Sequence, residues 1–272
     1  MRMSTAWSPS RSARWAKLAL AATALCLAPA GLVAQDAKPS EPAQKLEQVK
    51  ETFEKSRDEI YKKLRAAESD EEQTKLFEEL RALIKQAVAD ARAVAESAAG
   101  TETAAEAWAF VLQNGGQSGN LEVVGKAFDA LVGTHIASPV WKDLAGMLPY
   151  MADQGVGAER FERGARTLME KSPFKGVQAA AMFALGKVLL DAPEQAKQDE
   201  GLALLRRVLK DFAGVKEAAD AYAEAEGTLF WRENLQVGMQ VPDFEASDEN
   251  GVKFKLSEYK GKVVLIDFWG FW

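Results

Sequence analysis

Apolar residues recur at steps of three and four along the first part of the chain, which is the period of an amphipathic α-helix. Between about residues 43 and 98 the period is carried by Leu46, Val49, Phe53, Ile60, Leu64, Leu76, Leu80, Leu83, Ile84, Ala87, Val88, Ala91 and Val94. Ser69 followed by Glu72 is a capping pattern that begins a new helix, so the stretch divides in two. The pattern predicts either two antiparallel amphipathic helices or a coiled-coil arm.

From Thr101 onward the apolar segments shorten, and the connections between them carry glycine or proline. We predict helices over residues 104–114, 121–132, 138–151, 160–170, 176–190, 195–212 and 218–231. Short helices in pairs are typical of helical-repeat arrays, and the pair 176–190 and 195–212 loosely resembles a tetratricopeptide repeat (TPR). The sequence therefore predicts a mostly α protein, either a TPR-like helical-repeat array or an irregular helical bundle.

The pattern changes near Asn234, where helical periodicity gives way to turns and short apolar runs. Asp248–Gly251 is a turn sequence, and Val252–Leu256 predicts a short strand after it. Val263–Trp269 predicts a second strand, with apolar residues on both faces as in a strand buried inside a sheet. We therefore predict a helical domain over residues 43–234 and a second domain over residues 235–272.

The N-terminal residues 1–34 have the features of a secretory signal peptide. Four basic residues flank the start of an apolar run at Leu18–Leu27, and small residues near Ala30 and Ala34 offer cleavage sites. A signal anchor is the alternative, but a proline and a glycine shorten the run below the roughly 20 residues of a membrane span. We predict an exported protein of the periplasm or cell envelope, with a polar linker at residues 35–42 after cleavage.

The charge and the rare residue types restrict the chemistry. Removal of the signal peptide leaves 30 basic and 40 acidic residues from the original 34 and 40, because the leader carries four basic residues and no acidic one. A net charge of −10 argues against binding of nucleic acid. Cys26 is the only cysteine and lies in the leader, and His135 is the only histidine. We therefore expect no metal site and no cofactor, and a structural or exposed position for His135.

Two further features have ordinary structural interpretations. The glycine-rich stretch 114–119 follows a helix and lacks a Gly-Lys-Ser/Thr ending, so it does not indicate a phosphate site. Five aromatic residues occupy apolar helical positions, and we interpret them as core rather than as a ligand cage: Trp108, Phe128, Trp141, Phe161 and Phe183.

The C-terminal segment carries two ordered motifs. The first is Gly-x-x-x-Pro-Asp-Phe, formed by Gly238, Pro242, Asp243 and Phe244. The second is Leu-Ser-x-Tyr-x-Gly-Lys at residues 256–262, followed by the run Val-Val-Leu-Ile-Asp-Phe-Trp-Gly-Phe-Trp. Together these motifs resemble the opening of a TlpA-like redoxin domain, a thioredoxin-fold family within the AhpC/TSA-redoxin superfamily.

The resemblance implies the first β-strands of an incomplete thioredoxin-like α/β domain. In the family a Cys-x-x-Cys follows this run, and Trp272 matches the aromatic residue just before the first cysteine. We therefore expect that the chain is truncated before its catalytic cysteines. The complete protein would be an exported thiol–disulfide oxidoreductase that exchanges disulfides with partner proteins, whereas the chain as written would show no dithiol activity.

Two residues receive roles from the resemblance. Asp267 matches a buried aspartate of thioredoxins that passes a proton to and from the resolving cysteine, and a carboxylate in an apolar strand can act as such an acid or base. The alternative is that Asp267 is only a strand residue with a local hydrogen bond. Trp272 matches the aromatic residue that shapes the surface presented to partner disulfides.

Two other functions remain open. A peroxiredoxin-type peroxidase usually has a proline after the strand, and Gly270 stands at that position, which favours disulfide exchange. The second alternative is that the helical domain is a binding or scaffold module for a protein partner, with a non-catalytic redoxin remnant attached.

Overall fold

The computed structural model describes residues 39–267, and these residues are mostly helical, as the apolar period predicts. Ten α-helices lie in this range: α1 Glu41–Ala66, α2 Asp70–Ser97, α3 Glu102–Asn114, α4 Leu121–Thr134, α5 Val140–Leu144, α6 Leu148–Met151, α7 Ala158–Lys171, α8 Lys175–Leu190, α9 Gln195–Asp211 and α10 Ala219–Asn234. The predicted signal peptide lies outside the described residues. Between residues 39 and 267, none of the helices combines the length and apolar character that a membrane span requires.

The two long N-terminal helices pack along each other, and α2 also packs against α3. Ser69 caps α2, because its Oγ accepts a hydrogen bond from the Glu72 N–H at 3.2 Å. Phe53 of α1 meets Phe110 of α3 edge to face, with ring centroids 5.3 Å apart. The pair of helices is therefore part of the main core rather than a projecting coiled-coil arm.

An aromatic cluster joins α4, α5 and α7. The Phe128 ring lies between Trp141 and Phe161, with centroid separations of 6.2 and 5.9 Å, and all three side chains are fully buried. Phe183 is also buried, and Trp108 is half-buried against the core. The interpretation of these five aromatics as core residues is confirmed.

The predicted helix over residues 138–151 is wrong as a single element. The chain forms α5, a short 3-10 turn at Ala145–Met147, and then α6, which is followed by a kinked turn at Ala152–Val156. Pro149 fits this break because proline is tolerated only in the first turn of a helix. Gly155 lies inside this kinked turn with φ 111°, a backbone conformation that favours glycine.

Helix α8 occupies the centre of the C-terminal half, where it packs against α6, α7, α9 and α10. Its contact with α9 is unusually close, because a Cβ atom on Gly201 would lie 2.8 Å from the Gly186 carbonyl oxygen. Leu205 and Val208 of α9 are fully buried against it. The small residues of the sequence therefore allow the close helix pairing that the pattern predicts.

The chain changes to strands after α10. Strands β1 (Glu245–Ser247) and β2 (Lys253–Lys255) form an antiparallel pair, so the predicted strand at Val252–Leu256 is present but shorter. The predicted strand at Val263–Trp269 is wrong over residues 263–267, which lie outside any helix or strand and are exposed. A strand needs a hydrogen-bonded partner, and none of the described residues supplies one here.

Replacement of Gly164 by alanine tests the packing of α7 on α4. The added Cβ would lie 2.5 Å from Cζ of Phe128, whose ring is held between two other buried aromatics. We expect Gly164→Ala to lower the free energy of unfolding by about 1–3 kcal/mol, measured by urea denaturation followed by circular dichroism. Gly133→Ala in α4 is the matched control, because its Cβ would meet no atom within 4 Å, and it should stabilise by up to about 1 kcal/mol. Equal stability of the two variants would contradict the packing described.

Candidate functional site

The redoxin-like segment forms a small hairpin built on short-range hydrogen bonds. Ala246 lies opposite Phe254 in the register of β1 and β2. The Leu256 N–H donates to the Phe244 carbonyl oxygen at 3.1 Å, which extends the pairing past the end of β2. Glu245 and Lys253 on neighbouring strands form an ion pair at 2.9 Å. The first motif thus ends immediately before β1, and the second motif begins immediately after β2.

The turn between the strands is organised by Asp248. Its Oδ1 accepts hydrogen bonds from the backbone N–H groups of Asn250 and Val252, both at 2.8 Å. Gly251 has φ 79°, so the left-handed conformation explains why glycine closes the turn. The turn predicted from these residues is confirmed.

Asp243 joins the two motifs directly. Its Oδ1 accepts from the Ser257 backbone N–H and its Oδ2 accepts from the Ser257 hydroxyl, each at 2.8 Å. These hydrogen bonds, with the hydroxyl contributing most, hold the pKa of the Asp243 carboxyl below its ordinary value. Sequence reasoning missed this pair, and its only signal was that both residues belong to ordered motifs.

The remaining motif residues pack beside this connection. The Tyr259 ring meets Phe254 edge to face at 6.1 Å, and the Lys262 ammonium lies 5.7 Å from the centre of the Tyr259 ring. The tyrosine and lysine of the second motif therefore stabilise the turn that follows β2. They hold the chain in place rather than presenting a reactive group.

Of the two residues assigned from the resemblance, the structure describes only Asp267. Asp267 is exposed, and the side chains of Val263 and Leu265 before it are 102% and 93% exposed. The apolar surroundings that the sequence predicts for Asp267 are thus not formed by the described residues. Trp272 lies outside the described residues. The roles of both residues stay predictions.

Redox and metal chemistry have no built site in the described part of the chain. Residues 39–267 contain no cysteine, because Cys26 precedes them. Among these residues there is also no group of three or more His, Cys, Asp or Glu side chains positioned to hold a metal ion.

His135 is buried at the C-terminal end of α4, with 8% of its surface exposed. Its backbone N–H donates to the Leu131 carbonyl oxygen, and its own carbonyl accepts from the Ser138 N–H. The Ser138 hydroxyl donates in turn to the Glu102 carboxylate. Burial lowers the pKa of the His135 imidazole, and the charge of Glu102 opposes that shift. His135 therefore has a structural position, one of the two that the sequence allowed.

Comparison with known proteins gives short matches to one class of enzyme. The chain is 42% identical over 47 residues to the thiol-disulfide oxidoreductase ResA of Bacillus anthracis, which covers 17% of this chain and 27% of that protein. It is 42% identical over 41 residues to ResA of Bacillus subtilis strain 168, and this match covers 15% of this chain and 23% of that protein. It is 47% identical over 38 residues to ResA of Geobacillus kaustophilus, and this match covers 14% of this chain and 22% of that protein.

These matches concern a segment of the chain. The chain spans about a quarter of the length of the curated relatives that it matches. No family model matches it, and no solved structure matches it. A short segment similar to thiol-disulfide oxidoreductases is therefore combined with a mostly helical fold.

A pH titration tests the Asp243–Ser257 connection. Because the pKa of Asp243 is lowered in the folded hairpin, its stabilising effect is present at neutral pH and is lost as the pH falls through the folded pKa. We expect the Ser257 amide proton signal in NMR spectra to shift with a midpoint below pH 3.8, the ordinary value for aspartate. Asp243→Asn should abolish this titration, whereas Glu249→Gln, on the exposed turn, should leave it intact. A midpoint at or above pH 3.8 would contradict the geometry.

The burial of His135 predicts a pH dependence of stability. Its folded pKa is lowered, so its contribution is complete above the unfolded value of 6.5 and declines as the pH falls below that value. The melting temperature should therefore fall between pH 7.5 and pH 5.5, and His135→Gln should show a smaller fall over the same range. An identical pH dependence in the two proteins would exclude His135 as its source.

Proposed function

We propose that this chain is part of an exported thiol–disulfide oxidoreductase, in which the helical domain of residues 43–234 precedes a TlpA-like redoxin domain that begins at residues 235–272. The observation that carries the proposal is the ordered pair of redoxin motifs in Gly238–Lys262. The short matches to proteins named thiol-disulfide oxidoreductase also support it.

The geometry of the hairpin favours a structural role for the two motifs, which would position the chain that follows them. Asp243 and Ser257 connect the first motif to the second, so they fix where the chain enters Val263 and the apolar run behind it. In the proposed domain this run would become a central strand of a thioredoxin-like sheet. Its exposure in residues 263–267 fits a strand that requires partners from further along the domain.

The chemistry would be supplied by a Cys-x-x-Cys that follows Trp272. The first thiolate, stabilised at a helix N-terminus, attacks one sulfur of a partner disulfide and releases the other as a thiolate. The second cysteine then attacks the mixed disulfide and frees the partner's remaining thiol. The enzyme dithiol is oxidised to a disulfide and the partner disulfide is reduced to two thiols, with the exchange reversible.

Within this proposal Asp267 and Trp272 keep the roles that the resemblance implies. Asp267 would accept the proton of the resolving thiol, once the strand around it is buried. Trp272 would form part of the surface that meets partner disulfides. The proposed location is the periplasm or cell envelope, and the signal-like residues 1–34, with cleavage near Ala30 or Ala34, support export.

The second candidate is a helical-repeat binding or scaffold module with a non-catalytic redoxin remnant. The extent of the helical part, which runs from Glu41 to Asn234, favours it. The peroxiredoxin-type peroxidase is the weaker alternative, because Gly270 replaces the proline expected there.

The encoding DNA beyond codon 272 separates these functions. A Cys-x-x-Cys within the next few codons supports disulfide exchange, a Thr/Ser-x-x-Cys supports a peroxidase, and a stop codon favours the binding module.

Insulin reduction by the chain extended through the dithiol then tests the activity itself. We expect turnover by the extended chain and none above buffer by the 272-residue chain. Asp267→Asn in the extended chain should slow turnover by roughly 100-fold or more, since 100-fold is about the lower end of a general acid–base contribution. Glu258→Gln, an exposed neighbour in the second motif, is the control and should retain full turnover. Activity of the 272-residue chain alone would overturn the proposed chemistry.

A further inference from the structure

Three adjoining cavities follow one side of α8. The first has a volume of about 390 Å³, the second about 170 Å³ and the third about 470 Å³. The first two share Gly176 and Glu217, and the second and third share Tyr150 and Lys187. We call this continuous depression the α8 groove. From Gly176 to Leu189 it extends for about 20 Å at 1.5 Å per helical residue, the length of roughly six extended peptide residues.

Two of the lysines that line the α8 groove lie over aromatic rings. The Lys142 ammonium is 4.6 Å from the centre of the Phe174 ring, and the half-buried Lys187 is 5.4 Å from that of Tyr150. Among the ion pairs of residues 39–267, none includes either lysine. The rings hold both ammonium groups in place without neutralising their charge, so the two lysines offset part of the negative charge of the groove.

The α8 groove also contains a row of carboxylates. Glu217, Asp220 and Glu224 follow each other along the start of α10 and the turn before it, and all three line the second cavity. The ion pairs in the described part of the chain include none of them. Asp220 and Glu224 are one helical turn apart, about 6 Å along the axis. Alternate residues of an extended peptide are separated by about 6.6 Å, so their side chains can reach successive carboxylates.

The groove as a whole is negatively charged. Eight carboxylates and four lysines line the three cavities, which leaves a net charge of four negative units. The third cavity adds Asp153, Glu159 and Asp191 to the acidic side. A ligand with positive charges along its length therefore complements the groove, whereas nucleic acid would be repelled. A second copy of this chain is also disfavoured, because its net charge is negative.

We propose that the α8 groove binds an extended basic peptide segment of a partner protein. Lysine or arginine residues at alternate positions face Glu217, Asp220 and Glu224, and apolar residues between them pack on Tyr150, which is 55% exposed. The peptide backbone runs along α8 past the small residues Gly146 and Ala180. This binding does not depend on the proposed redox chemistry, because every group that carries it lies between residues 142 and 224, ahead of the C-terminal hairpin.

Fluorescence anisotropy with the full 272-residue chain tests the proposal. The probe is a fluorescein-labelled eight-residue peptide of alternating valine and lysine, and the comparison peptide has glutamate in place of lysine. We expect the lysine peptide to bind, the glutamate peptide to bind at least about 10-fold more weakly, and the affinity for the lysine peptide to fall between 0.1 and 1 M salt, where screening is much stronger.

Charge-matched variants decide whether the lysine peptide binds in the α8 groove. The double variant Asp220→Asn, Glu224→Gln should weaken binding of the lysine peptide by roughly 3- to 10-fold, the effect expected for two partly exposed charge pairs. The control Glu51→Gln, Glu54→Gln removes the same charge from the exposed face of α1 and should leave the affinity unchanged. Circular dichroism melts check that both variants fold.

Three results would overturn the proposal. The first is equal weakening by the groove variant and the α1 variant, which would indicate attraction by net charge alone. The second is the absence of measurable binding of the lysine peptide at low salt. The third is a concentration-dependent dimer in sedimentation velocity that the groove variant disrupts, which would assign the groove to a second copy of the chain.

Discussion

The close contact between α8 and α9 is the constraint on which the C-terminal half of the helical region depends. Gly186 and Gly201 let the two backbones approach until a single added Cβ would collide with the opposite helix. Because α8 is held there, it can also contact α6, α7 and α10. The buried leucines and valines of α9 then fill the space beside it, and α10 is placed where its acidic side forms one wall of the α8 groove.

The C-terminal hairpin is organised by a different kind of interaction. Asp243 reaches Ser257 and Asp248 closes its own turn, so hydrogen bonds within about 15 residues hold the segment together. It buries little apolar surface, and Val263–Asp267 are exposed. A segment with many local hydrogen bonds and little buried apolar surface can keep a local conformation. Its apolar run, however, gains stability only when further strands cover it.

In the proposed oxidoreductase, the helical region and the C-terminal segment would have different functions. A groove that holds a partner segment would raise the effective concentration of that partner near a dithiol on the same chain, with no change in the redox chemistry. The proposed groove and the proposed dithiol can be tested separately, because peptide binding would depend on Asp220 and Glu224, whereas disulfide exchange would require the cysteines of the proposed redoxin domain. Binding without reduction would then identify the helical region as the functional unit of this chain.

The sequence by itself determined the helices whose signals are local. The apolar period and the Ser69 cap predicted α1 and α2. The Asp248–Gly251 turn could be predicted from the sequence because its hydrogen bonds join residues only a few positions apart. Tertiary structure decided what depends on distant partners: the break at Pro149, the Asp243–Ser257 pair, and the meeting of α6, α8 and α10 around the groove. The apolar run at Val263–Asp267 shows the same limit, because an apolar pattern indicates that a strand can be buried but a strand forms only where another segment supplies its hydrogen bonds.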